Sequence, residues 1–288
     1  MITSKLDTIL LDFESFLQSH TPQAQSFHPH FQEAVWEMMK NGGKRFRPAL
    51  IFCVVDAFSP EHISKAFFPA LAMEAIHTFS LIHDDLPSID NASLRRGHPT
   101  LHTKYNEVTA ILSGDFLNSY AFDLITQSPL EPTTQISLIS TLALGTCQMI
   151  IGEALDCYFE DQLLNLNQLQ NIHTLKTAKL IASSLKMGGI IANLSKQKLG
   201  SLWDLGILLG IFFQIRDDLI DTTSSQEKAG KPIGQDIHKN NYVNLLGIQG
   251  AKDELAVYLE HIHRCIQCIQ HTQFQINLNT LLEEYLQW

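Results

Sequence analysis

The sequence predicts an all-α fold. Two observations carry that expectation. Strict apolar–polar alternation is nearly absent, whereas apolar residues recur at helical spacing along the whole chain. The composition, 45% hydrophobic and 17% charged, is globular and supplies enough apolar material for a sizeable core. No linker rich in Pro, Gly or Ser cuts the 288 residues in half, so one domain over residues 1–288 is expected, with roughly ten helices and no sheet.

The elements follow in order. Leu6, Ile9, Leu10, Phe13, Phe16 and Leu17 form one apolar stripe, and Phe31, Val35, Met38 and Met39 a second. Ala66 to His83 is a long, mostly apolar helix candidate, followed by Ser137 to Phe159 and Lys198 to Thr222. Lys252 to Gln270 and Leu278 to Leu286 complete the series. Leu205 to Ile215 is apolar nearly all round and should be central. Two long polar stretches, Leu86 to Asn106 and Thr222 to Asn241, each follow an Asp-Asp pair at the end of an apolar helix. Loops of that length inside a compact domain are usually lids or binding segments.

Charge and cysteines narrow the function classes. Thirty acidic against 20 basic residues give a net charge of −10, which argues against nucleic acid as a partner. Taken alone, it also argues against an anionic substrate. The longest unbroken apolar run, Leu205 to Phe213, is too short to span a bilayer, so an integral membrane protein is not expected. The start Met1-Ile2-Thr3-Ser4-Lys5, soon followed by Asp7, Asp12 and Glu14, lacks the pattern of a signal peptide, and a cytoplasmic location is the default. Five scattered cysteines fit free thiols. Cys265 and Cys268 have CxxC spacing near His261, His263 and His271, but no second pair completes a zinc site, so thiols on an amphipathic helix are favoured.

The chemistry concentrates in two acidic clusters. The first is His83-Asp84-Asp85-Leu86-Pro87-Ser88-Ile89-Asp90, and the second Gln214-Ile215-Arg216-Asp217-Asp218-Leu219-Ile220-Asp221. Asp217 and Asp221 are i,i+4 neighbours on one helical face. Pro87 ends the first helix, so Asp90 must come back through the following turn. A lone cluster would read as a solvated helix end. Two clusters ending two apolar helices, without lysines between their acids, instead form crowded all-oxygen sites that suit Mg²⁺.

Basic residues gather near those clusters. Gly42-Gly43-Lys44-Arg45-Phe46-Arg47-Pro48 joins two helices, and Leu94-Arg95-Arg96-Gly97 lies just past Asp90. Lys176, Lys179, Lys231 and Lys239 come later. Arginine forks bind phosphate oxygens in bidentate fashion. His77 sits two helical turns before Asp84, where it could touch a phosphate or simply be a satisfied core histidine. Positive charge collected in this way suits two anionic ligands, one held through Mg²⁺ and the other directly.

At these residues the chain resembles the trans-isoprenyl diphosphate synthases, specifically bacterial farnesyl diphosphate synthases. The likeness runs from about Phe31 to the C-terminus and rests on GGKRFRP, SLIHDDLPSID followed by LRRG, a Lys-Thr-Ala step and FQIRDDLID in that order. It implies antiparallel helices around a deep central cavity, two aspartate motifs facing each other across its mouth, and a homodimer. Asp84, Asp85, Asp90, Asp217 and Asp221 would hold three Mg²⁺ ions, with Mn²⁺ as a substitute and Asp218 the weaker candidate. Arg95, Lys176 and Lys239 would contact the allylic diphosphate (dimethylallyl or geranyl). Lys44, Arg47, His77 and Arg96 would hold isopentenyl diphosphate. Thr177 and Gln214 would lie near the developing allylic cation, and Lys231 would be the lid lysine.

The same resemblance implies ionisation of the allylic diphosphate, attack by the isopentenyl double bond and loss of a proton. Phe79, with Ser80 beside it, would stop the growing tail and favour farnesyl diphosphate, with geranylgeranyl diphosphate the alternative product. A class I terpene cyclase and a non-catalytic subunit of a heteromeric synthase are the rival readings. The cyclase would not need Lys44, Arg47 and Arg96, and the partner subunit would have lost one aspartate cluster. The chain departs from the family pattern at Glu153, where an amide is usual, at Ala178 in place of a glycine, and at Arg216. It also departs in the segment Lys239-Asn240-Asn241-Tyr242-Val243 and at an acidic C-terminus.

Overall fold

In a computed structural model, residues 5–24, 26–223 and 240–286 are described, with side chains to 283. Helices dominate, as expected. One departure from the expected absence of sheet is a pair of two-residue strands, β1 (Leu94–Arg95) and β2 (His98–Pro99), paired antiparallel. The two residues between them, Arg96 and Gly97, both have positive φ (55° and 79°), the geometry of a tight hairpin turn that glycine eases. By internal contacts the chain divides into two units, Met1–Ile139 and Ser140–Trp288.

In the first unit, α1 (Lys5–Ser19) buries Leu6, Ile9, Phe13 and Leu17 and leaves Leu10 and Phe16 partly exposed. Stripes three and four apart are what a one-sided amphipathic helix requires. α2 (Phe31–Lys40) buries Val35, Met38 and Met39. α3 (Phe46–Phe58) is buried continuously from Pro48 to Asp56; it is apolar on every side, so no stripe marks it in the sequence. Phe13, Phe52 and Phe67 meet edge-on at centroid distances of 5.4 to 6.2 Å and tie α1 to α3 and to the start of α4 (Phe67–Asp84). Beyond the hairpin, α5 (Leu101–Lys104) is one turn long. α6 (Glu107–Thr126) opens on Asn106, whose side chain accepts from the Thr109 N–H, and packs along α4.

α7 (Pro132–Tyr158) leads into the second unit. α8 (Leu166–His173) opens on a capping box made by Asn165 and Gln168. Thr174–Ala178 is a π-turn, and α9 (Lys179–Ile191) continues from it. α10 (Lys196–Thr223) packs on α9 and on α11 (Tyr242–Cys268), and α12 (Thr272–Leu286) follows. Gly247 has φ 72° and breaks α11, which is why its periodic stripe begins only near Lys252. Gly206 and Gly210 let α10 approach very closely; a Cβ there would lie 2.3 and 2.2 Å from the Cα atoms of Ala182 and Ala178.

Two expectations need correction or completion. α7 and α10 are, by length and composition alone, apolar enough to cross a membrane, although no unbroken apolar run is long. Half of the α10 window is buried, as in the core helix of a folded unit. Cys265 and Cys268 lie on α11 as free thiols, and among the described residues no group of three or more His, Cys, Asp or Glu could by itself hold a metal.

Candidate active site

The first unit builds a guanidinium cluster around one buried acid. Arg45 precedes α3 in the left-handed conformation (φ 48°) and is 5% exposed. Its Nε and one terminal nitrogen donate to Glu14 on α1 at 2.9 and 3.1 Å. That terminal nitrogen also donates to the Met39 carbonyl at 2.7 Å, and the other one reaches Glu74 on α4 at 2.8 Å. Glu74 is 1% exposed, and Arg96 comes within 3.7 Å of the same oxygen that Arg45 holds. A guanidinium nitrogen of Arg96 also donates to the Gly42 carbonyl at 2.5 Å. Gly43 (φ 129°) is needed here, because a Cβ would lie 2.8 Å from the Arg96 guanidinium carbon.

Arg47 and His77 share this electropositive region. Burial pushes the Arg47 guanidinium down to about 10; Glu74 opposes that shift and Arg96 adds to it. The Arg47 Nε is buried without a hydrogen-bond partner. Burial, then the charges of Arg47, Arg96, Arg95 and Arg45, hold His77 well below the ordinary histidine value, so it is neutral at pH 7. Lys44 is exposed beside them. Three guanidinium groups, Arg45, Arg47 and Arg96, that share two carboxylates, Glu14 and Glu74, leave a positive surplus for an anion.

The first aspartate motif lies at the end of α4. Its turn closes through the Asp90 N–H onto the Asp84 carbonyl at 2.9 Å, so the chain does come back past Pro87. Asp85, 1% exposed, accepts from Arg95 Nε and a terminal nitrogen at 2.8 and 2.5 Å through a single oxygen. Its second oxygen is buried without a hydrogen-bond partner. Burial raises the Asp85 carboxyl, Arg95 opposes, and the nearby Asp90 raises it further. Asp84 is half-buried and Asp90 exposed. An all-oxygen set with one orphaned buried oxygen and mutual repulsion fits a hard divalent cation. Too few acids converge to complete its shell, so the remaining ligands would come from phosphate oxygens and water.

Phe79, 5% exposed, sits edge-on to His83 at 5.4 Å. His83 Nε2 lies 3.0 Å from the Ile111 carbonyl, an approach that Gly114 leaves open. Ser80 turns its hydroxyl back to the His77 carbonyl at 2.9 Å.

In the second unit, the π-turn presents Lys176 and Thr177. Lys176 Nζ lies 2.7 Å from both Glu153 and Asp156. Thr177 donates its hydroxyl hydrogen to the Gln214 side-chain oxygen. Ala178 is fully buried against α10, and it fits because position 210 is glycine. On α10, Asp217 is exposed and Asp221 is 7% exposed, one turn apart. Asp218 accepts the Tyr242 N–H at 2.8 Å and so anchors the start of α11. Arg216 is half-buried on the same helix. Lys179 stacks over the Trp203 ring at 5.1 Å. Lys231 and Lys239 lie outside the described residues.

Three functional features escaped the sequence patterns: Arg45 and Glu74 as an organising pair, Asp156 as a partner of Lys176, and the π-turn. Arg45 stands inside a quoted motif, but burial and backbone sign leave no mark in charge or period.

Residues 28–276 match the polyprenyl synthetase family. The chain is 37% identical over 286 residues to farnesyl diphosphate synthase of Micrococcus luteus, covering 98% of this chain and 96% of that protein. It is 40% identical over 240 residues to the farnesyl diphosphate synthase of Geobacillus stearothermophilus, covering 81% and 80%. The fold matches a geranyltransferase from Helicobacter pylori, crystallised with magnesium and isoprenyl diphosphate, at a TM-score of 0.93 and 40% identity over the full length of both chains. With the motifs in order and the fold matched end to end, the chain belongs to the polyprenyl synthetase family.

Proposed function

We propose that this chain is a magnesium-dependent prenyltransferase that condenses isopentenyl diphosphate with dimethylallyl or geranyl diphosphate, giving farnesyl diphosphate. The observation that carries this reading is the Arg47–His77–Arg96 cluster in the same unit as the Asp85–Arg95 pair. One is a direct anion site and the other an acid site suited to a cation. Asp84, Asp85, Asp90, Asp217 and Asp221 would hold magnesium, up to three ions, and Asp218 less directly. When bound, the metal supplies positive charge that neutralises the leaving diphosphate.

The protein's own residues do the rest. Arg95, Lys176 and Lys239 bind the allylic diphosphate and stabilise the charge that builds as its C–O bond breaks. Lys44, Arg47, Arg96 and neutral His77 hold isopentenyl diphosphate, whose double bond supplies the electron pair for the new C–C bond. Thr177 and Gln214 set their oxygens near the cation, and Lys231 closes the lid. The proton lost at the end goes to the departed pyrophosphate, so no protein nucleophile is required. Phe79 limits the tail, and geranylgeranyl diphosphate is the product if it does not.

Residues 1–288 act in this reading as one synthase domain. Val108, Ile111 and Leu112, all exposed on one face of α6, offer an apolar surface for a second copy, as in a homodimer. Free thiols at all five cysteines fit a reducing, cytoplasmic setting. Purified protein incubated with geranyl diphosphate, labelled isopentenyl diphosphate and Mg²⁺ should yield labelled farnesyl product. Cyclised hydrocarbon would favour a terpene cyclase, and no product at all would favour a non-catalytic subunit.

A further inference from the structure

Lys176 is held by two acids. Its ammonium lies 2.7 Å from Glu153 Oε2 and 2.7 Å from Asp156 Oδ2, and both acids project from the last turns of α7. Positions three apart share a helical face, so the two carboxylates flank the lysine together. Gly152 makes the approach possible, since a Cβ there would lie 2.2 Å from the Lys176 backbone nitrogen. The other Glu153 oxygen takes the Cys157 thiol at 3.6 Å, so the carboxylate is held at both ends. Burial would lower the lysine, but the charges of Asp156 and Glu153 outweigh it and hold the ammonium above its ordinary value.

One ammonium between two carboxylates is a net negative group. A diphosphate oxygen that reaches for Lys176 meets Glu153 as well, and one of the two anions must give way. An amide at position 153 would still accept from Lys176 without carrying the charge. We infer that Glu153 is a positioning residue that restrains Lys176 on α7 and thereby weakens the grip of this chain on diphosphate. The inference rests on the proposed contact between Lys176 and the allylic diphosphate. Its consequence is a site that releases pyrophosphate more readily than one with a neutral residue at 153.

The test uses the full-length protein and inorganic pyrophosphate with Mg²⁺, followed by calorimetry. E153Q is nearly isosteric, and it should bind pyrophosphate about three- to tenfold more tightly, the change that one neighbouring charge makes at a part-exposed site. The KM for geranyl diphosphate should fall in parallel while the KM for isopentenyl diphosphate stays put, a split that a general loosening of the fold would not give. In a K176A background the same substitution should change pyrophosphate affinity by less than about twofold, because Glu153 acts through the lysine. E153A should move affinity in the same direction as E153Q. Unchanged or weaker pyrophosphate binding in E153Q, or an equal gain without Lys176, overturns the inference. If wild-type protein elongates its substrate while E153Q leaves affinity unmoved, only this inference fails; if wild-type protein makes no product, the synthase reading fails.

Discussion

At Arg45 one side chain decides the shape of a whole loop. It joins α1, the end of α2, α3 and α4 through Glu14, Met39 and Glu74, from a left-handed backbone position. Arg45→Ala would leave the buried Glu74 without its hydrogen-bonded guanidinium and with Arg96, 3.7 Å away, as its remaining ion-pair partner, a loss of about 1.5–3 kcal/mol. Chemical denaturation should show a loss of that order, and Arg45→Lys should recover little of it because an ammonium cannot span both acids. Glu14 carries a pH signature. Burial raises its carboxyl, but the hydrogen bond and charge of Arg45 prevail and hold it below the usual glutamate value. Its contribution is therefore present at neutral pH and lost as pH falls through the depressed value. The Tm gap between wild type and Glu14→Gln should be open at pH 7, begin to narrow near the ordinary glutamate value of about 4.3 and vanish only below the depressed one. The gap will be modest, since Glu14 is 39% exposed and solvent screens it. None of this is legible in the motif Gly42-Gly43-Lys44-Arg45-Phe46-Arg47, where one lysine and two arginines look alike; only burial and partners separate the scaffold residue Arg45 from the proposed anion binders.

Among elements, the π-turn at Thr174–Ala178 sets how the second unit presents Lys176 and Thr177. An extra residue in one turn rotates Lys176 and Thr177 away from the helical register, a device often found at functional sites. Gly152 and Gly210 hold it from two sides. Gly152→Ala would press a methyl into the backbone of Lys176, which cannot move aside, and should cost about 1–3 kcal/mol together with most of the activity. Gly200→Ala is the contrasting case. Nothing lies within 4 Å of its added Cβ, and thermal melts should show it neutral or stabilising by up to about 1 kcal/mol. On α4, Phe79→Ala should lengthen the hydrocarbon product, as read by chromatography after dephosphorylation; an unchanged product removes Phe79 as the floor. The stripes of α1 and α2 and the stop at Pro87 were readable because one-sided burial writes a period into the sequence. α3, buried all round, writes none, and the two-residue strands are set by turn geometry at Arg96-Gly97.

For the whole molecule, the acidic total misleads and the distribution of charge informs. The net −10 coexists with a cluster of three arginines, Arg45, Arg47 and Arg96, around Glu14 and Glu74. The all-helical class was legible from period alone, whereas the apolar length of α7 and α10 was not visible in unbroken runs because scattered polar residues interrupt them. If the proposed homodimer forms through this face of α6, Ile111→Asp with Leu112→Asp should shift it to monomer in sedimentation velocity, with the helical circular dichroism signal retained. A protein that sediments as a monomer without these changes removes the homodimer. The contact between Gly43 and Arg96 reaches beyond either residue. Any side chain at 43 collides with that guanidinium, and a shorter side chain at 96 abandons the Gly42 carbonyl. The two positions are thus coupled through that side chain, yet losing the arginine would not by itself free position 43, because its φ of 129° still calls for glycine.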